Sequence, residues 1–254
     1  MTPQLTYYDL GPRVVAFSTT RHGGVSTGSY GTFNINGYCG DQPEAVAENR
    51  RLLATELPVA DVMHIVLPHQ VHDSVVKIID EASLGRQDML EGVDALVTRQ
   101  TGVCIGVSTA DCIPIIIYDP LHHCAAAVHA GWRGTARRIV EKTVRLMEDA
   151  FQSDCSQMRA VIGPGISLKN FEVGQEVYDE FLSAGFPMER IAARYGKWHI
   201  DLPLCNRLQL ENTGVRPENI DDAGICTYDR VDDYFSARRL GIASGRIYTG
   251  IVLK

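Results

Sequence analysis

The chain lacks any run of about 18 apolar residues, so it carries no pattern for a membrane-spanning helix. Its first stretch, MTPQLTYYDLGPRVVAFSTT, has no basic segment leading into an apolar one, and no secretory signal is read there. Positive charge is scarce: 24 Lys and Arg stand against 31 Asp and Glu, a net charge of −7. That balance gives no general attraction to nucleic acid or to anionic lipid, so an anionic small ligand needs a local basic pocket. The seven cysteines, at 39, 104, 112, 124, 155, 205 and 226, are odd in number and include no CxxC pair. A disulfide framework and a local zinc-finger pairing are both excluded on that spacing, and reduced thiols in the cytoplasm are expected. Linkers rich in Pro, Ser or charge, low-complexity tracts and clear repeats are also missing. One α/β domain over residues 1–254 is the simplest reading. No coiled coil or exposed amphipathic helix gives an oligomer away, and the oligomeric state stays open.

What is present is ordinary for a soluble enzyme or binding protein: 45% hydrophobic and 22% charged residues, with a chain long enough to bury a sizeable core. Residues 18–40, STTRHGGVSTGSYGTFNINGYCG, carry turn chemistry over a stretch too long for a simple connector, as loops that line sites do. A helix is predicted next, with Asp41 as N-cap, Glu44 completing a capping box, Val46, Leu53 and Leu57 on one face, and an end before Pro58. Strands are predicted at 62–67, 71–79, 94–98, 102–109, 113–119 and 124–130. The nearly all-apolar GVCIGV, IPIII and CAAAV read as buried on both faces. A helix over 134–151 follows from Val140, Val144, Met147 and Phe151. The second half adds a strand at 159–163, a helix around 171–182, a strand at 198–201 and a helix from Pro203, capped by Asp201 and closed by Gly214. GICT, FSARR and RIYTGIV read as extended segments near the carboxyl end.

Three residues stand out by ligand chemistry. His72 in PHQVH, Cys112 in STADCIPI and His129 in VHAGWRGT are soft-to-borderline donors in apolar, strand-like surroundings. Two imidazoles and a thiolate suit zinc, and three protein ligands leave a fourth position for chemistry. Each has a plain structural reading when taken singly: a hydrogen-bonded histidine, or a small buried hydrophobe in the case of the cysteine. Cys112 is set apart because Thr109 and Asp111 precede it at a strand edge, whereas Cys104 and Cys124 lie inside apolar strands. The turn after His129, with Arg133 beside it, offers amides and a cation for an anion such as phosphate. Arg238 and Arg239 in FSARR, and Arg21, His22 and Arg50 around the glycine-rich loop, read by themselves as solvated cations. Asp111 is a candidate for proton transfer and the 18–40 loop for ligand contacts.

Taken together, STTRHGGVS, Asn49–Arg50, PHQVH, DALVT, GVSTADCIPI, AAVHAGWRGT, IGPGIS with FEVG, and GICTY with FSARR resemble the bacterial polyphenol oxidase or laccase-domain family, also called the peptidoglycan editing factor family. The resemblance runs from about residue 18 to 239, and TADC followed by VHAGWRG is its specific signature. It implies a single α/β domain with mixed sheets in a sandwich-like core flanked by helices. It also implies a zinc site at His72, Cys112 and His129, with Arg238 catalytic beside Cys112 and His129. The implied activities are phosphorolysis of adenosine, inosine and methylthioadenosine with phosphate, and adenosine deamination alongside.

Three other readings compete. Cys112 as a nucleophile with His129 as its base gives a cysteine hydrolase, an amidase on a nucleotide-linked peptidoglycan precursor. A copper-dependent polyphenol oxidase would use Cu2+, which outcompetes zinc for such donors. Multicopper oxidases, however, draw on HxH pairs, and the eight histidines here form none. A closed metal site in a non-enzymatic binding protein would draw a fourth ligand from His22, His69 or His199.

Overall fold

Apolar runs with no polar alternation can be buried only if both sheet faces are covered, and the architecture covers them. The computed structural model describes residues 1–59 and 62–254. In chain order its first strands are β1 (Leu5–Tyr8), β2 (Val14–Thr19), β3 (His64–Val66), β4 (Val76–Ile79) and β5 (Ala95–Thr98). Next come β6 (Val103–Thr109), β7 (Ile113–Asp119), β8 (Cys124–Ala130), β9 (Arg159–Ile162) and β10 (Glu172–Val173). The last are β11 (Ala192–Tyr195), β12 (Lys197–Ile200), β13 (Ile220–Asp222) and β14 (Ile247–Leu253). The helices are α1 (Pro43–Glu56), α2 (Trp132–Ala136), α3 (Ile139–Phe151), α4 (Gln175–Ser183), α5 (Met188–Ile191), α6 (Leu202–Asn212) and α7 (Ala237–Leu240).

A five-stranded sheet, β1-β2-β14-β6-β3, packs on a six-stranded sheet, β13-β9-β7-β8-β5-β4, and β10-β12-β11 forms a small third sheet. Both large sheets are mixed: β3 with β6, β4 with β5 and β13 with β9 are parallel, and the other pairings are antiparallel. The fold is therefore a single mixed α/β domain with a sandwich-like core and helices outside it.

The period of two in each strand divides its apolar residues between layers. In β7, Ile116 and Tyr118 face the gap between the sheets, where they meet Ile105, Val107 and Ile251. Ile113, Ile115 and Ile117 face outward onto Val140, Val144 and Met147 of α3. On the far side Phe17, Cys104 and Tyr248 pack beneath Leu53 and Leu57, the apolar face of α1 and its end.

Several boundaries differ from the sequence expectations for physical reasons. Gln42, not Asp41, caps α1, because the residue before Pro43 is pushed to extended backbone and proline favours the first helical position. The Asp41 carboxylate instead accepts from Ser26 Oγ at 2.7 Å and Asn34 Nδ2 at 2.9 Å, bracing the glycine-rich loop. The expected 134–151 helix is two, α2 and α3, broken at Arg138 with φ +61°. Its guanidinium stacks 3.8 Å from the Phe186 ring and donates to the Ala184 carbonyl at 2.6 Å, contacts that offset the left-handed backbone. The 171–182 segment divides into β10 and α4, GICT contributes an isolated bridge from Cys226 to Gly165, and FSARR turns into α7 instead of extending. Of the predicted strand at 71–79, only 76–79 is strand; residues 71–75 are irregular and bend at His72, whose φ is +63°. Asp201 caps α6, accepting from the Leu204 N–H at 3.0 Å, and Gly214 follows the helix at φ +100°.

Ile116 is fully buried between the sheets, whereas Leu121 is 67% exposed. Ile116→Ala is expected to cost about 2–5 kcal/mol in urea unfolding, and Leu121→Ala to stay within about 0.5 kcal/mol. Equal effects at the two positions would contradict the layered core.

Candidate metal centre

One end of the six-stranded sheet gathers the chemistry. One step beyond the Ala95–Val128 pair of β5 and β8 lie Asp94 and His129, and one step beyond the Ile113–Ala130 pair of β7 and β8 lie Cys112 and Gly131. The turn before β4, which pairs with β5, supplies His72. The fold thus brings together the three residues singled out in the sequence: one donor atom from each of His72, Cys112 and His129 lies within 4.8 Å of the others. The His72 and His129 rings meet edge to face with centroids 4.8 Å apart. His129 is buried, Cys112 half-buried and His72 exposed, so the cluster is reached from one side.

The buried Asp94 carboxylate organises the cluster. Its Oδ1 accepts from His129 Nδ1 at 2.7 Å and from the His72 backbone N–H at 3.0 Å, and its Oδ2 accepts from the Asp73 N–H at 2.8 Å. A carboxylate on Nδ1 leaves Nε2 of His129 as the free donor, the usual support for a metal-ligating imidazole. Burial pushes the Asp94 carboxyl up, but His129 and the backbone N–H groups hold it below the ordinary carboxylate range. Burial likewise raises the Cys112 thiol, yet the His129 charge and the hydrogen bonds from His129 and His72 bring it down to about 6. In His129 burial lowers and the Cys112 thiolate and Asp94 raise, for a net value of about 9. The same contacts favour the thiolate of Cys112, and a thiolate is the form that binds metal or attacks carbon.

Gly131 completes the cradle. A Cβ there would stand 3.0 Å from His72 Cδ2, 3.2 Å from Cys112 Sγ and 3.6 Å from His129 Cε1, so any side chain at this position would crowd all three candidate ligands. The donor set, its second support and this tight backing fit a d10 ion with N and S ligands.

Above the donors lies a cavity of about 240 Å³. The glycine-rich loop contributes Asn36, Tyr38 and Cys39 to its wall, in line with the reading of 18–40 as a site-lining loop. Tyr38 stacks on His69 at 4.2 Å and 16°, giving a flat aromatic wall, and His69 Nδ1 pairs with Glu91 at 2.6 Å. Gln70 clamps β6 through its amide, accepting from the Ser108 N–H at 2.7 Å and donating to the Ser108 carbonyl at 2.8 Å.

Other expected residues fall elsewhere. Asp111, at φ +87°, accepts from Thr227 Oγ1 and from the Arg238 backbone N–H, each at 2.7 Å, and does not line the cavity. The Arg238 side chain is exposed, donates to the Glu172 carbonyl at 3.1 and 3.2 Å, and is not among the lining residues; Arg246 is. Arg133 stacks 4.2 Å from the Trp132 ring and borders a separate, smaller cavity of about 100 Å³, away from the three donors. His22 lies 3.4 Å from Asp233, His199 Nδ1 donates to the Leu168 carbonyl at 3.0 Å, and neither these nor His69 joins the donor group. Asp94, Arg246 and the Tyr38–His69 stack were not singled out from sequence. The signal for Asp94 was a carboxylate opening the apolar strand DALVT, and nothing in SGRIYTG marked Arg246.

Asp94→Asn is expected to weaken metal binding by about 10–100-fold, measured by competition with a chromophoric chelator. Gly131→Ala keeps an allowed backbone, φ −67° and ψ 167°, but must displace ligands by a few tenths of an ångström. A loss of about tenfold in metal affinity with a nearly unchanged unfolding midpoint is expected for it; unchanged affinity in both variants would show that the cluster does not hold metal.

Known proteins match over the same span. A purine nucleoside phosphorylase of Bacteroides thetaiotaomicron is 47% identical over 248 residues, covering 93% of this chain and 90% of that protein. Adenosine deaminase RL5, from an unknown prokaryotic organism, is 42% identical over 249 residues, covering 95% and 94%. Among solved structures, YlmD from Geobacillus stearothermophilus has a TM-score of 0.89 at 32% identity, with 95% of this chain and 92% of that chain covered. No helix of the described residues is long and apolar enough to cross a membrane. Residues 15–254 match the model of the family described as multi-copper polyphenol oxidoreductase laccase, and the chain belongs to that family.

Proposed function

We propose that this protein is a zinc-dependent purine nucleoside phosphorylase acting on adenosine, inosine and methylthioadenosine, with adenosine deamination as a second activity. The observation that carries this reading is the convergence of His72, Cys112 and His129 at the base of one cavity. The names borne by the relatives, a purine nucleoside phosphorylase and an adenosine deaminase, support it. Zinc held by the three side chains would supply Lewis-acid stabilisation of an oxyanion or activate water.

The chain's own residues divide the remaining work. Asp94 fixes the His129 ring and the backbone of His72 together, so two donors share one reference point. The Tyr38–His69 wall gives a planar base a surface to pack against. Gln70 holds the start of the His72 turn on β6, which keeps the cavity wall and the donors in register.

A second reading follows from one specific observation. Cys112, His129 and Asp94 also stand in the order of a nucleophile, its base and an orienting carboxylate, with the thiol drawn down to about 6. In that role the chain would be a cysteine hydrolase, such as an amidase on a nucleotide-linked peptidoglycan precursor. Ligation and nucleophilic attack compete for the same thiolate. Copper at the same donors follows from ligand affinity, and a copper-dependent polyphenol oxidase activity is subordinate here, because a single three-donor group is found among the described residues.

The deciding experiment is metal analysis of purified protein paired with phosphate-dependent release of adenine from adenosine, in wild type and Cys112→Ala. Zinc near one per chain and base release, both lost in the variant, are expected. Zinc retained with normal turnover in the variant would sink the assignment. Metal-free wild type that releases no base but forms a covalent adduct at Cys112 would move it to the hydrolase.

A further inference from the structure

The cavity over the donors is electrically one-sided. Although the chain carries a net charge of −7, no Asp or Glu among the described residues lines this cavity, while Arg246 and three histidines do. Arg246 immediately precedes β14, and its backbone N–H donates to Asn34 Oδ1 at 3.1 Å, tying it to the glycine-rich loop. Its Nη1 donates to the carbonyls of Ser244 and Gly245, and its Nη2 to that of Ile242 at 2.9 Å. These acceptors are neutral, and the ion pairs of the described residues do not include Arg246. Among the described residues no carboxylate lies within ion-pair distance of it. The Nε–H has no acceptor among the described residues, and Nη2 has a second hydrogen to give. Nε and Nη2 share one edge of the guanidinium, the edge that matches two oxygens of a phosphate.

A second, independent observation lies in the same wall. Ser108 and Thr109 line the cavity at 6% and 1% exposure, and both side-chain hydroxyls lack any hydrogen-bond partner. A buried hydroxyl without a partner is costly and calls for a ligand or water. The two residues are consecutive at the end of β6, and both contribute atoms to the cavity wall.

We propose that Arg246, with Ser108 and Thr109, forms an oxyanion subsite that takes the inorganic phosphate of the reaction. The identity of the anion rests on the phosphorylase reading; the subsite itself rests on the cavity. A phosphate oxygen bonds to the ribose anomeric carbon as the N-glycosidic bond breaks. The bonding pair leaves on the base nitrogen, which takes the proton of hydrogen phosphate, and ribose 1-phosphate and free base result.

The test compares Arg246→Gln, Arg246→Lys and Arg238→Gln in metal-loaded protein with two readouts: calorimetric binding of inorganic phosphate alone, and KM for phosphate and for adenosine in base release. Arg246→Gln is expected to weaken phosphate binding and raise its KM at least tenfold with the adenosine KM within twofold, and Arg246→Lys to recover most of the loss. Unchanged phosphate binding in Arg246→Gln, or a loss that appears at Arg238→Gln instead, overturns the proposal. So does Arg246-dependent binding of adenosine 5′-monophosphate in protein that ignores inorganic phosphate. Arg246-dependent phosphate binding in wild type that releases no base upholds the subsite and removes the phosphorylase reading. Because the carbonyl bonds of Arg246 also hold the 241–245 turn, Thr109→Val serves where Arg246→Gln fails to fold. A rise of at least threefold in phosphate KM at constant adenosine KM is expected there, and no change overturns the proposal.

Discussion

The candidate site depends on one buried carboxylate. Asp94 has no exposed surface, and a charge there persists only because N–H groups replace its water. Those groups belong to the His129 ring and to the backbone of residues 71–73. The same bonds that make the charge tolerable therefore fix one donor through its ring and another through its main chain. The left-handed backbone of His72 costs about 1–3 kcal/mol in isolation, and the hydrogen bond from its N–H to Asp94 is a local compensation. Arg137 and Lys142 tie the same turn to the outside, pairing with Asp73 at 2.6 Å and Ser74 at 2.7 Å.

The donors were legible in the sequence because ligand chemistry resides in residue type. Cys112 was separable from Cys104 and Cys124 by its polar neighbours at a strand edge, and the structure buries those two fully while leaving Cys112 half-buried at the cavity. The strands were legible because runs such as IPIII and CAAAV have no polar face to present. What the sequence concealed is carried by tertiary partners. Asp94 acts on backbone N–H groups more than twenty residues back along the chain, which no residue type announces. Arg138 breaks a helix of good periodicity because Phe186 and Ala184 reward the break. Asp41 looked like a cap by local pattern, but the constraint from Pro43 moved the helix start by one residue. FSARR contains no helix-breaking residue, and reading it as extended had only its neighbours for support.

A second carboxylate mirrors the first. Asp111, immediately before Cys112, is left-handed at φ +87° and fastens Thr227 and the start of α7. Each aspartate holds an irregular backbone segment next to a candidate donor. Both spend their oxygens on N–H and O–H groups of the frame. Neither is left to line the cavity.

That allocation bears on chemistry. A carboxylate in the cavity would repel anionic co-substrates and compete as a hard oxygen ligand for the metal. By burying Asp94 and Asp111 behind the donors, the fold leaves an Arg, three imidazoles and two residues with unpartnered hydroxyls in the cavity wall. His72 stands exposed while His129 is enclosed, so the open direction of the donor group is the direction of the cavity. A nucleophilic cysteine needs only His129 and Asp94 behind it and has no use for a second imidazole brought within 4.8 Å by a strained turn. A third ligand to a metal would account for the backbone cost of placing His72 there, which supports the proposed metal-assisted reading over covalent catalysis by the thiolate.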